Sequence, residues 1–150
     1  MNKIITTLLV FGLIFLSACS TLASSPTVTS SPTETPEPSL ATSKDDVIGT
    51  WQLGSGPRSI FFQFNADGTY RMAQATADNL NDNPLHLGQF VFDGGLLTFT
   101  SSDDSPICAG QSGTYEVRLL EQGQIGLSLI EDECSIRSGP NLSPLEPISP

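Results

Sequence analysis

The stretch Phe62-Gln63-Phe64-Asn65-Ala66-Asp67-Gly68-Thr69-Tyr70-Arg71 decides the fold of this 150-residue chain. Apolar and polar side chains alternate on both sides of a central turn segment, which is typical of two half-buried β-strands joined by a hairpin. Gly68 supplies the positive φ that such a turn requires. The stretch therefore predicts an antiparallel hairpin with one apolar face.

The same alternation continues before and after this hairpin, and no segment carries a helical period. Turn residues of the same kind occur at Asp93 to Gly95 and at Gln122 and Gly123. We predict eight strands, at residues 47–53, 59–65, 69–75, 86–92, 96–101, 112–121, 124–131 and 133–137. Consecutive hairpins make these strands an antiparallel meander.

Alternation also assigns the side chains to two faces. The predicted inner face holds Val47, Gly49, Trp51, Leu53, Ile60, Phe62, Phe64, Tyr70, Met72, Phe90, Phe92, Leu97, Phe99, Tyr115, Val117, Leu119, Ile125, Leu127 and Leu129. Because no helix is predicted to cover this face, the sheet must close on itself. The predicted fold class is therefore all-β, an eight-stranded antiparallel up-and-down (meander) barrel, which is wide enough to be filled by side chains or to hold one small ligand.

The first predicted strand contains Ile-Gly-Thr-Trp-Gln-Leu, with Gly49 and Trp51 in a Gly-x-Trp pattern. Together with the Phe62 hairpin, this pattern resembles lipocalin-like (calycin) barrels. The resemblance implies that the tryptophan plugs the closed end and that a late arginine packs across it as a cation–π contact. Arg137 is the best match by position, and Arg118 is the alternative. The chain is shorter than large lipocalins and lacks their long C-terminal helix.

The N-terminus begins with Lys3 and an apolar run from Ile4 to Leu16, followed by Ser17, Ala18 and Cys19. The run is too short to span a bilayer and is typical of a signal peptide, here residues 1–18. Leu-Ser-Ala-Cys resembles the lipobox of bacterial lipoproteins. That resemblance implies cleavage before Cys19, a diacylglycerol on its sulfur, and anchoring to the membrane by acyl chains such as palmitate.

Composition divides the rest of the chain. Residues 19–45 are predicted to be a lipidated cysteine plus a Ser/Thr/Pro-rich disordered linker, because such a segment cannot bury enough apolar surface to offset its ordering. Residues 46–137 form the predicted barrel, and the Pro-rich residues 138–150 are predicted to be disordered. Acidic residues outnumber basic ones by 16 to 6, which argues against a nucleic-acid partner.

With Cys19 assigned to the lipid, Cys108 and Cys134 remain as an even pair. In the oxidising compartment outside the cytoplasm they are predicted to form a disulfide. A redox-active or metal-binding thiol pair is the alternative. It is less favoured because the sequence has no Cys-x-x-Cys motif, and because no partner histidine or basic group is expected nearby.

Catalysis is not expected, because no nucleophile, base and orienting group occur together. His86 is the only histidine and is interpreted as a surface residue. The disulfide would gather the carboxylates of Asp103 and Asp104 with those of residues 131–133 at one rim. A solvated acidic rim is preferred there over a Ca²⁺ site, and no metal or cofactor is predicted.

Two functions remain for the predicted envelope lipoprotein. Its barrel binds a small apolar ligand or a protein partner, or alternatively it is a solid-core scaffold of the cell envelope without a small-molecule ligand. The candidate ligand-binding residues are Phe62, Phe64, Tyr70, Met72, Phe90, Phe92, Phe99 and Tyr115. In the scaffold alternative, the loop 76–85 and the acidic rim contact another envelope protein.

Overall fold

The computed structural model describes residues 37–137 and 141–148 of the chain. The predicted signal peptide, Cys19 and the linker up to residue 36 lie outside the described residues. The strands are β1 (Ser39–Leu40), β2 (Gly49–Leu53), β3 (Ile60–Phe64), β4 (Thr69–Gln74), β5 (His86–Asp93), β6 (Leu96–Ser101), β7 (Ser112–Leu119), β8 (Ile125–Asp132) and β9 (Asn141–Pro147). One α-helical turn, α1 (Asn79–Asp82), and three short 3₁₀ turns at Lys44–Asp46, Gly56–Arg58 and Glu121–Gly123 complete the elements.

Strands β2 to β9 form a closed barrel. Each pairs antiparallel with the next along the chain, and β9 also pairs with β2, where Trp51 lies opposite Pro147. The barrel therefore has no open edge between its first and last strands. This confirms the prediction of an eight-stranded antiparallel up-and-down barrel. The short β1 adds to β7 beside the β5–β6 hairpin, with Leu40 opposite Arg118.

The last strand of the barrel is not the predicted one. Residues 133–137 form a turn, in which the Arg137 amide donates to the Cys134 carbonyl at 3.0 Å, and β9 supplies the eighth strand instead. Three predictions are therefore wrong: a strand at 133–137, a barrel that ends at residue 137, and disorder throughout the tail 138–150, which contains β9. An irregularity in the β8–β9 pairing explains the error, because it places the inward Leu142 and Leu145 three residues apart.

The segment before β2 is also more ordered than predicted. The linker was expected to reach residue 45, but β1 and the 3₁₀ turn Lys44–Asp46 lie within it. The Ser43 side chain accepts from the Asp45 amide, and Asp46 accepts from the Ser43 amide, so the turn is capped at its start. Ala41 is buried in the core, which holds this segment against the barrel.

The core fills the inside of the barrel. Every apolar side chain assigned to the inner face by alternation is buried or packs against the buried cluster, and five further residues join them: Ala41, Ile48, Leu85, Leu142 and Leu145. Large aromatic side chains occupy the centre, where Phe64, Phe99 and Tyr115 are almost fully buried. Such close packing leaves little room between opposite walls of a narrow barrel.

A second, smaller cluster lies on the outer face of β3 and β4. Phe61 and Ala73 point outward there and are covered by Leu80 of α1. The Arg71 guanidinium donates to the side-chain oxygen of Asn81 at 2.8 Å and to the Leu80 carbonyl at 3.3 Å. The sequence predicted no helix, but this one turn covers an outward phenylalanine. No described helix has the length and apolar character needed to cross a membrane.

Candidate functional site at the disulfide end

The barrel has two ends that differ in their connections. We call the end formed by the connections 54–59, 75–85, 102–111 and 133–137 the disulfide end, because Cys108 and Cys134 are bonded across it with their Cα atoms 5.6 Å apart. This confirms the predicted disulfide. The opposite end holds the connections 65–68, 94–95 and 120–124, together with the segment that leads into β2.

A β-bulge near the end of β8 brings an acidic side chain into the barrel. Tyr115 pairs with Leu129, but Thr114 pairs with Glu131, so Ile130 is an extra residue and the inward phase of β8 shifts by one. Asp132, opposite Gly113, consequently points inward. A Cβ on Gly113 would collide with the Asp132 carboxylate, so glycine is needed at this position. The bulge converts a predicted rim residue into an interior one.

Inside the barrel, Asp132 forms an ion pair with Arg137. The guanidinium donates from Nε to Oδ2 at 2.7 Å and from Nη2 to Oδ1 at 2.9 Å. The side chains of Arg137 and Asp132 are 1% and 0% exposed. Such two-point geometry suits the planar shapes of both groups and is among the stronger polar contacts in proteins.

The pair is surrounded by further hydrogen bonds. Arg137 Nη1 donates to Ser101 Oγ at 2.9 Å and to the Tyr70 hydroxyl at 3.2 Å. The Tyr115 hydroxyl donates to Asp132 Oδ2 at 2.5 Å, and the backbone amide of Cys134 donates to Oδ1 at 2.7 Å. Both charged groups are therefore extensively hydrogen-bonded, as a buried pair must be to offset its loss of hydration.

These contacts shift the pKa values of the cluster. Burial alone would raise the pKa of Asp132, but hydrogen bonds from Arg137, Tyr115 and the Cys134 amide outweigh it and lower that pKa. Burial, reinforced by the hydrogen bond to Asp132 and by its charge, raises the pKa of Tyr115. Burial likewise raises the pKa of Tyr70. The carboxylate is therefore ionised and both phenols are neutral at physiological pH.

The resemblance implied that Arg137 packs across Trp51, but the two side chains are not in contact. Within the described ranges, its ring contact is with Phe99, whose centroid lies 5.8 Å from the guanidinium carbon. Trp51 points toward the opposite end, where its indole Nε1 donates to the Val47 carbonyl at 2.8 Å. The prediction that Gly49, Trp51 and Arg137 close the barrel together is therefore wrong, because Arg137 lies in the β8–β9 connection at the disulfide end.

Gly49 and Trp51 nevertheless lie together as the sequence predicted. Gly49 adopts a φ of +142°, and a Cβ built on it would lie 3.7 Å from the Trp51 indole nitrogen. Trp51 is buried in the core. Lys44 also lies at this end, where its ammonium donates to the Ala66 carbonyl at 2.8 Å and lies 5.1 Å from the centroid of the Phe90 ring.

His86 is buried, which overturns its interpretation as a surface residue. Its exposure is 0%, and burial, with the charge of Arg137, lowers its pKa to about 4. The backbone of Ile107 lies near the imidazole, yet neither ring nitrogen makes a hydrogen bond of acceptable geometry. Alternation could have revealed this placement, because His86 is in phase with the inward Phe90 on β5.

The structure also brings His86 to the disulfide. A ring nitrogen of His86 and the sulfurs of Cys108 and Cys134 lie within 4.8 Å of one another. The expectation that no histidine or basic group lies near the cysteines is therefore wrong, since Arg137 is also close enough to lower the pKa of His86. His86 lies at this end because it is the first residue of β5, directly after the connection 75–85.

The candidate ligand-binding residues pack against one another. Seven of the eight are buried and Phe92 is partly buried. Ring centroids are 5.0 Å apart for Tyr70 and Phe99, 5.4 Å for Phe99 and Tyr115, and 5.3 Å for Phe64 and Phe90. At these separations the rings are in direct contact. The residues are thus brought together as predicted, but as a filled core.

The pockets found on the described part of the chain open onto its surface. One of about 580 Å³ lies on the outer face of β5 and β6, lined by residues such as Gln89, Val91 and Thr98. Another of about 290 Å³ lies beside Glu131 and Glu133. Both are open to solvent and most of their lining residues are polar or glycine, so neither resembles the enclosed apolar cavity that a lipid-like ligand requires.

The predicted acidic rim is only partly correct. Asp103 and Asp104 are exposed, but Asp132 is withdrawn into the barrel and Glu133 accepts from the Ser112 amide at 2.9 Å. Among the described residues, the one group of three or more metal-ligating side chains is that of His86, Cys108 and Cys134. The carboxylates at the rim do not form such a group.

Comparisons of the chain with protein-family models, with curated proteins and with solved structures found no match.

Proposed function

We propose that this chain is a lipid-anchored protein of the bacterial cell envelope whose lipocalin-like barrel is a solid interaction module. Acyl chains on Cys19 hold it in the membrane, and the linker carries the barrel away from the surface. The barrel binds a protein partner through the outer surface of its disulfide end. It performs no catalysis.

The observation that carries this proposal is the filled interior. Phe64, Phe90, Phe99 and Tyr115 contact one another across the barrel, with centroid separations of 5.3 to 5.7 Å. A cavity for a drug-sized or lipid-sized ligand needs about 300 Å³ or more. Side chains occupy the volume that such a ligand would need, which supports recognition by the outside of the barrel.

The disulfide end offers a suitable surface. Its longest connections are fixed in place, since Leu80 of α1 is buried against β3 and β4 and Cys108 is bonded to Cys134. Exposed polar and acidic side chains project from them, among them Asp82, Asp103 and Asp104. Rigid presentation lowers the ordering cost of binding. The acidic character of these loops suits a partner with a basic surface.

Charge removal at the two ends tests the proposed surface. Asp103→Asn with Asp104→Asn removes two exposed charges at the disulfide end, and Asp93→Asn with Glu121→Gln removes two at the opposite end. Each double variant of the full chain is expressed in bacterial cells, and the proteins of the cell envelope are then treated with a crosslinker. We expect the first to lose a crosslinked species that wild type and the second retain. Equal crosslinking by both variants would contradict the proposed surface.

Native mass spectrometry of the Cys19→Ser protein, made in a lipid-rich host, tests the filled interior. We expect only the mass of the unliganded chain, because no apolar molecule can enter. A stoichiometric apolar adduct that remains bound after detergent has been removed would instead support the small-ligand function. Fractionation provides the test of the anchor, since Cys19→Ser should move the protein from the membrane to the soluble fraction.

A further inference from the structure

The imidazole of His86 is the unexplained polar group of the core. Among the described residues, its two ring nitrogens are the buried side-chain polar atoms that lack a hydrogen-bond partner. Leaving such groups without a hydrogen-bond partner destabilises the folded protein, because their hydration is lost and not replaced. An apolar side chain of similar size would avoid this cost. A buried histidine of this kind therefore points to a ligand that its nitrogens bind in another state of the protein.

The nearest groups with ligand chemistry are the two sulfurs of the disulfide. A ring nitrogen of His86 and both sulfurs lie within 4.8 Å of one another. In a tetrahedral zinc site, bond lengths of about 2.3 Å to sulfur and 2.0 Å to nitrogen place ligand atoms about 3.5 to 3.8 Å apart. With the Cα atoms of Cys108 and Cys134 5.6 Å apart, side-chain rotation can open the sulfurs to that separation after reduction.

Charge balance also favours a divalent cation. Two thiolates, one neutral imidazole and one divalent cation sum to zero, so no net charge is added to the core. The neighbouring Asp132 and Arg137 are already paired with each other.

We propose that reduction of the Cys108–Cys134 disulfide creates a binding site for one zinc-class divalent cation, with both thiolates and the His86 imidazole as its protein ligands. The barrel end is then closed by a disulfide under oxidising conditions and by a metal under reducing ones. This inference does not depend on the partner proposed above.

Reduction requires a two-electron donor, and a dithiol supplies it. Its thiolate attacks the sulfur of Cys108, which is partly exposed, and the sulfur of fully buried Cys134 leaves. The second thiol of the donor then displaces Cys108, so the donor becomes a disulfide and the protein holds two thiols. Binding of the cation releases the two thiol protons.

The test uses the full chain carrying Cys19→Ser, so that Cys108 and Cys134 are its only cysteines. A phosphine reduces the disulfide, taking up the oxygen of one water molecule as it becomes a phosphine oxide. Zinc affinity is measured by competition with a chromophoric chelator. Cobalt(II) reports thiolate ligation through its charge-transfer absorption. Near-ultraviolet circular dichroism follows the fold throughout.

The variants are His86→Leu and His86→Gln, with Ser59→Ala as the matched control. Ser59 is also a buried polar residue at the disulfide end, 1% exposed, and is not a proposed ligand. We expect one zinc ion per reduced chain and none per oxidised chain. Both His86 variants should bind at least tenfold more weakly, while Ser59→Ala binds as the parent protein does.

Three outcomes would overturn the proposal. These are equal zinc affinity in the reduced parent protein and the His86 variants, equal binding by the oxidised form, or no binding by a reduced, folded protein. Should reduction unfold the barrel, recovery of the near-ultraviolet signal on zinc addition in the parent, but not in the His86 variants, supports the site. Absence of that recovery counts against it.

Discussion

Arg137 and Asp132 form a fully buried two-point ion pair, with hydrogen bonds of 2.7 Å and 2.9 Å. The pair joins the end of β8 to the turn that follows it and extends through Ser101 and Tyr70 to β6 and β4. Because it links four parts of the chain at the disulfide end, removal of either partner would leave the other charge buried and unmatched.

The first prediction concerns this pair. Asp132→Asn should lower the free energy of unfolding by about 3 to 5 kcal/mol, because Arg137 then remains charged in the core. The control is Glu116→Gln, which breaks an ion pair with Arg118 whose side chains are 29% and 45% exposed. That change should cost less than about 1 kcal/mol. Urea unfolding at neutral pH measures both, and similar losses would contradict the interpretation.

The second prediction concerns pH. The pKa of His86 is about 4 in the folded protein and 6.5 in its ordinary state, so the unfolded chain binds more protons between these values. Stability is therefore full above pH 6.5 and falls as the pH decreases toward 4, by about 3 kcal/mol in total. Asp132, whose pKa is lowered on folding, adds a loss below its unfolded pKa of 3.8.

His86→Leu isolates the histidine contribution to that pH dependence. The variant should be at least as stable as wild type at pH 7, and its stability should fall much less between pH 6.5 and 4.5. Urea unfolding at several pH values gives both curves. If wild type and the variant lose stability in parallel over this window, groups other than His86 control acid sensitivity.

The third prediction concerns the glycine beneath Asp132. Gly113→Ala should destabilise the barrel by about 1 to 3 kcal/mol, because the new Cβ collides with the buried carboxylate. The cost should fall when the same change is made in an Asp132→Ala background, where the carboxylate is absent. A double-mutant cycle from urea unfolding provides this comparison. Additive costs would indicate that the two positions do not contact each other.

The fourth prediction concerns β9. Leu145 is fully buried, so Leu145→Ala should lower the free energy of unfolding by about 2 to 5 kcal/mol. Leu40→Ala is the control, since Leu40 is 44% exposed and should contribute little. Thermal or urea unfolding distinguishes them. An unchanged stability of Leu145→Ala would mean that the C-terminal segment does not complete the barrel.

Strict alternation explains which parts of the fold the sequence could predict. Strands β2 to β7, and β8 up to its bulge, follow a regular period of two, and Asp-Gly or Gly-Gly turns mark several of their ends. Irregular pairing defeated the prediction elsewhere. In β9 the inward leucines are three residues apart, and in β8 one extra residue turns Asp132 inward. Neither feature has a local signature, because a bulge is defined by the partner strand.

Part of the candidate site could be predicted from the sequence. The disulfide follows from the two cysteines that remain once Cys19 is assigned to the predicted lipid anchor, and the inward placement of His86 follows from its phase with Phe90. The contacts of Arg137 with Asp132, Tyr70 and Ser101 bring together residues from separate strands. Only the closed barrel creates those neighbours, so they could not be assigned without the register.

The pairing of Trp51 with Pro147 joins residues near the two ends of the described chain. Bringing such distant residues together costs chain entropy before any stabilising contact forms. Pairing of β2 with β9 is therefore expected to be the slow step of folding. Until residue 147 has been synthesised, β2 exposes an unprotected edge. The barrel is therefore expected to close only after synthesis of the whole segment, and a chain interrupted before β9 would leave both β2 and β8 open to pairing with another molecule.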